Sequence, residues 1–147
     1  MAALEIFNFM HFIGLAFGLG GATIASVISA KAEKDKDVSS AFMKIMPSVS
    51  KLIMFGLILL IISGVAIAFL VTWPINQTNL IIKHVLVVLI VVIGIMINFK
   101  SKKMMKLTHR KDEKVYLNFV KMKKQIKILS IINLILWYGV TLLSAFV

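Results

Sequence analysis

Two histidines, His11 and His84, each stand a turn or two inside a long apolar run, "NFMHFIGLAFGLGGATIASVIS" around the first and "NLIIKHVLVVLIVVIGIMINF" around the second. An imidazole brings a nitrogen lone pair that can ligate iron or copper, and a ring N–H that can be donated to an orienting oxygen. Ionisable groups placed within apolar spans are costly and usually functional, so a pair of them is a candidate site. If the first run is helical from near residue 5 and the second from near 79 or 80, His11 and His84 lie about 9 and 7 Å below the starts of their helices. The bland alternative is that each is a neutral ring bonded to a backbone carbonyl or to lipid.

The elements that carry these histidines are membrane spans. The 147-residue chain is 60% hydrophobic, above the roughly 45–50% of a soluble domain. Four stretches, about 6–29, 52–72, 80–99 and 126–147, hold enough apolar residues to cross a hydrocarbon core about 30 Å thick. Inside lipid each backbone N–H and C=O must be paired within the protein, and runs without strand-like alternation achieve that only as helices. The expected fold is all-α: an integral membrane antiparallel four-helix bundle, with residues 1–147 as one four-span domain. Cysteine is absent, which leaves nitrogen, oxygen and thioether sulfur as ligands.

The formal charge of +11 does not point to nucleic acid, because the cations flank the apolar spans. Of the 17 Lys and Arg, five (Lys31, Lys34, Lys36, Lys44 and Lys51) follow the first span, eleven lie from Lys100 to Lys127, and Lys83 alone lies elsewhere. The positive-inside rule puts both rich segments in the cytoplasm and both termini outside, in a multi-pass protein of the cell membrane. The outer connection "TWPINQTN" carries Trp73 at headgroup level and Pro74 as a helix stop. In "DVSSAFMKIMPSVSKL", Ser39 or Ser40 can cap a helix whose apolar face, Phe42, Ile45, Met46 and Val49, would lie along the inner surface. The segment from Lys100 to Lys127 has no Gly or Pro and can extend the third and fourth helices past the bilayer; His109 falls there, among lysines, as a surface residue.

In an up-down-up-down bundle, the first and third helices are parallel and diagonal, roughly 11–14 Å apart. Two imidazoles at one depth across that gap suit a b-type haem ligated by His11 and His84. A bare zinc or copper ion needs closer backbones and more ligands. A flat macrocycle needs room, which the stripe His11, Gly14, Gly18, Gly21 and Ala25 would supply on the histidine's own face; the same stripe also suits close helix packing. On the third helix His84, Val87, Val91, Gly94 and Asn98 share a face. Ser63 and Gly64 on the second helix, with Ser130, Asn133, Trp137, Thr141 and Ser144 on the fourth, make the expected interior mildly polar. Lys83 points about 100° from His84, so both cannot face one iron; either His84 ligates while Lys83 meets haem propionates, or the two roles are exchanged.

"MHFIGLAFGLGGAT", "IISGVAIAFL" and "IIKHVLVVLIVV" together resemble a group of small four-helix membrane proteins that includes the copper-resistance protein D family and the HemJ-type protoporphyrinogen oxidases. The resemblance covers about the first 100 residues. It implies haem binding, with His11 matching the histidine of the first helix and Lys83 the lysine of the third, and oxidation of a porphyrinogen. The Leu-Pro-Arg-Leu stretch that follows the first helix in the HemJ-type proteins is missing here. The Arg-x-x-Arg-Ala-His-x-Asn loop of the membrane-associated eicosanoid and glutathione enzymes is missing too.

The sequence therefore points to a haem b membrane protein that transfers electrons at the outer face, to a quinone or a redox partner subunit, with homo-oligomerisation open. A copper-handling accessory using His11, His84 and Met10, or a HemJ-like porphyrinogen oxidase, is the alternative.

Overall fold

The structure, a computed structural model, describes residues 2–71, 77–107 and 113–144. They form α1 (Ala2–Leu15), a five-residue π turn (Ala16–Gly20), α2 (Gly21–Ala32), α3 (Lys36–Leu70), α4 (Gln77–Leu107) and α5 (Glu113–Leu143), with no strand among the described residues. The fold is all-α. Four segments are long and apolar enough to cross a membrane: Ala2–Ala32, Asp37–Leu70, Thr78–Met104 and Leu117–Leu143. Even the 27-residue spans reach about 40 Å at 1.5 Å per residue, so each overruns a hydrocarbon core of about 30 Å. Trp73, Pro74 and His109 lie outside the described residues.

Internal contacts divide the chain into two units, Met1–Ile75 and Asn76–Val147. In the first, α1, the π turn and α2 pack along α3; in the second, α4 packs along α5.

The start of α3 corrects the expectation of a separate surface helix capped by Ser39 or Ser40. The cap is Asp35, whose extended backbone turns the chain and whose Oδ1 accepts from Asp37 N–H (2.8 Å) and Val38 N–H (3.2 Å). Two of the orphan donors of the first turn are thereby satisfied, and the Asp37 carboxylate complements the helix dipole. From there α3 runs for 35 residues without a break. Pro47 lies inside it and withdraws one backbone hydrogen bond, but its side chain is exposed and the flanking residues hold the helix together. Three of the four residues of the apolar face expected to rest on the membrane surface instead line a cleft shared with α2, though Ile45 stays 55% exposed. Phe42, Ile45 and Val49 line one side of an apolar cleft of about 140 Å³, and Ala25 and Ile28 of α2 line the other.

Candidate functional site

The N-terminal unit places His11 by an antiparallel register between α1 and α3. His11 meets Ser63, Gly14 meets Leu60, the backbone at Gly18 meets Gly56, and Gly21 meets Ile53. Moving down the first span by three, four and three residues matches moving up α3 by the same steps, so one stripe closes on the other. The closeness requires missing side chains. A Cβ on Gly56 would lie 2.5 Å from Gly18 N and 2.8 Å from Gly14 O, and a Cβ on Gly14 would lie 2.9 Å from Gly56 O and 2.8 Å from Leu60 Cγ. At Gly21 the Cβ would lie 2.8 Å from Ile53 Cγ1. Gly14, Gly18 and Gly21 are buried in this seam, a common use of Gly-x-x-x-Gly between membrane helices. The room that Gly14, Gly18 and Gly21 would leave for a flat macrocycle is filled by α3.

The π turn sits in the same seam. It takes up one residue more per turn than an α-helix and centres on Gly18, against which the α3 backbone is pressed at Gly56. Beside it the Phe17 and Phe55 rings pack with centroids 6.2 Å apart, tilted by 40°. The interruption thus falls where direct backbone contact at Gly18 and Gly56, together with this ring pair, joins the two helices.

One turn above Gly14, His11 Nδ1 lies 2.9 Å from Ser63 Oγ. Ser63 is wholly buried, and its hydroxyl donates back to the Leu59 carbonyl at 2.6 Å, with a longer contact to Leu60 O at 3.3 Å. A serine has one proton to give, and carbonyls accept only. Ser63 Oγ must therefore accept from His11 Nδ1–H, which fixes a proton on Nδ1. Gly64 flanks the ring as well; a Cβ there would lie 3.7 Å from His11 Cε1, an ordinary van der Waals contact.

In the C-terminal unit, His84 reaches the same tautomer by a local route. Its Nδ1–H donates to Leu80 O, one turn back on its own helix, at 2.7 Å, and the acceptor-only carbonyl again fixes a proton on Nδ1. The His84 side chain is exposed, whereas neighbouring Lys83 is half-buried within the span. On α5, Asn133 and Trp137 are buried while Asn133 Oδ1 and Trp137 Nε1 have no hydrogen-bond partner. A buried unpaired polar group costs about 1–3 kcal/mol. Nearer the basic end, Lys100 Nζ donates to Gln125 Oε1 at 2.7 Å and ties α4 to α5. Among the described residues, no three His, Asp or Glu side chains gather where they could hold a metal ion.

A family model described as a predicted integral membrane protein (DUF2269) matches residues 5–146. The chain belongs to that family. No curated protein and no solved structure matches it. Membership in DUF2269 makes this an integral membrane protein and carries neither the copper-resistance protein D nor the HemJ relationship.

In this DUF2269 member, the residues that hold His11 are the ones sequence reading undervalued. Ser63 was legible as a polar residue of the interior but not as the histidine's acceptor, and Gly56 was not singled out. A signal existed: Ile53, Gly56, Leu60 and Ser63 recur at three- and four-residue spacing, and the last three are buried. The face they form is complementary, step for step, to His11, Gly14, Gly18 and Gly21.

Proposed function

We propose that this protein is a b-type haem-binding membrane protein of the electron-transfer class, with His11 and His84 supplying iron ligands through Nε2. The observation that supports the reading is the shared tautomer: both rings within the spans donate Nδ1–H to an oxygen, Ser63 Oγ for His11 and Leu80 O for His84. Histidines that ligate metals do so with one nitrogen while the other donates to an orienting oxygen. The donor set suits haem. The glycine stripe does not contribute a cradle; Gly14, Gly18 and Gly21 serve by bringing α3, and hence Ser63, up to His11. Lys83, one residue before His84, is the cation available to a propionate. The bound haem would supply one-electron chemistry, with a quinone or a redox partner subunit as the exchange partner.

Absorption spectroscopy of the detergent-purified protein, before and after reduction, tests this directly. Two imidazole ligands give low-spin haem b bands, while a haem-reconstituted protein with no shift of the Soret band would end the proposal. The placement at the outer face has its own test, made clean by the absence of cysteine. Thr78→Cys reacts with an impermeant reagent only from outside and Lys103→Cys only from inside; the reverse pattern moves the site to the cytoplasmic side.

A further inference from the structure

Asn133 and Trp137 stand one helical turn apart on α5, where side chains at i and i+4 share a face. Asn133 is 9% exposed and Trp137 2%. Two hydroxyls farther along the same stripe are satisfied, Thr141 Oγ1 donating to Trp137 O at 2.9 Å and Ser144 Oγ to Val140 O at 2.8 Å. Among the buried side-chain atoms of the described residues, the missing bonds are those of an acceptor, Asn133 Oδ1, and a donor, Trp137 Nε1–H. They belong to neighbouring side chains that do not bond each other. In a span, bulk water is not at hand to satisfy either. A single oxygen that accepts from the indole and donates to the amide would satisfy both.

We propose that Asn133 and Trp137 form a hydroxyl-binding site within the membrane, taking an uncharged group whose oxygen accepts from Trp137 Nε1–H and whose hydrogen goes to Asn133 Oδ1. The pairing is selective. An ionised carboxylate or phosphodiester has no hydrogen for Asn133, and a ketone or quinone carbonyl satisfies Trp137 alone. A lipid-soluble alcohol, a phenol, a hydroquinone or one water molecule satisfies both. The apolar span Leu117–Leu143 that carries both residues favours uncharged ligands. Both polar atoms are sealed from solvent, so a hydroxyl enters only as the surrounding side chains yield. The site uses neither histidine and is independent of haem.

The protein contains two tryptophans, so Trp73→Phe makes Trp137 the sole indole reporter. The test follows its indole 15N–1H resonance in lipid nanodiscs during titration with a decyl-tailed hydroquinone and with the dimethyl ether of that compound. The hydroquinone is expected to move the resonance saturably, and the ether, which can accept but not donate, to need about tenfold more for the same shift. Asn133→Leu should abolish the difference. If the hydroquinone has no effect but water transfers magnetisation to the indole proton, and does so only with Asn133 present, the site stands and its occupant is water. Equal response to hydroquinone and ether, or an indole proton that neither hydroquinone nor water reaches, overturns the proposal. The comparison of the two compounds is made with Asn133 in place, so it does not depend on the leucine variant folding.

Discussion

The two hairpins of this chain are joined by different means. Along α1 and α3 the helices meet backbone to backbone, at Gly14, Gly18 and Gly56, and the site's polar bond, His11 to Ser63, crosses from one helix to the other. Along α4 and α5, glycine plays no such part: a Cβ at Gly94 or Gly139 would meet nothing within 4 Å. There the interior is built from side chains, Ile90, Trp137 and Val140, and His84 is oriented by its own helix alone. The difference teaches that one histidine is aimed by tertiary structure and the other by local geometry. Only the first can be re-aimed by changing a residue 52 positions away in sequence.

The comparison breaks most visibly at Gly56. Because its Cβ would strike backbone atoms of Gly14 and Gly18, which cannot rotate aside, Gly56→Leu should cost about 3 kcal/mol or more in thermal unfolding in detergent. Gly94→Ala and Gly139→Ala, with open space, should stay within about 0.5 kcal/mol of the parent. Equal sensitivity in the two hairpins would show that the glycine seam does not hold the first one together.

The next effect is spectroscopic and rests on the haem proposal. His11→Ala and His84→Ala should each abolish the low-spin bands, His109→Ala should leave them, and Lys83→Ala should weaken haem retention without changing ligation. Ser63→Ala sharpens the contrast, since it removes the oxygen that fixes the His11 tautomer while leaving the ligand in place. A loss of about 10–100-fold in haem affinity is expected, measured by transfer to apomyoglobin. His84 has no matching variant, because its acceptor is a backbone carbonyl.

The four spans were legible in the sequence because length and apolarity alone determine them. The glycine stripe was legible as a face, but not in its use. A stripe that opens space for a cofactor and one that admits a second helix both require missing side chains, and only the partner face, Ile53, Gly56, Leu60 and Ser63, distinguishes them. The beginning of α3 was misread because serine and aspartate are both good caps. What decided for Asp35 is its extended backbone, which sets its carboxylate against the N–H groups of Asp37 and Val38. The tautomers of His11 and His84 had no signature in the sequence, since each depends on which oxygen the folded chain brings to Nδ1.

The smallest expected effect probes what joins the C-terminal hairpin at its basic end. Lys100 Nζ donates to Gln125 Oε1 at 2.7 Å, and both side chains are half-buried. Interhelical hydrogen bonds in membrane proteins contribute about 0.6 kcal/mol on average, because each partner finds other bonds when the helices part. Lys100 lies near the basic end of its span, where its ammonium can turn to water or to lipid phosphate, so the alternatives are good ones. Lys100→Met and Gln125→Leu should therefore each cost less than about 1 kcal/mol, and the double variant should cost less than the sum of the two. A cost above about 2 kcal/mol for either would mean that this single bond replaces, in the second hairpin, the backbone seam of the first.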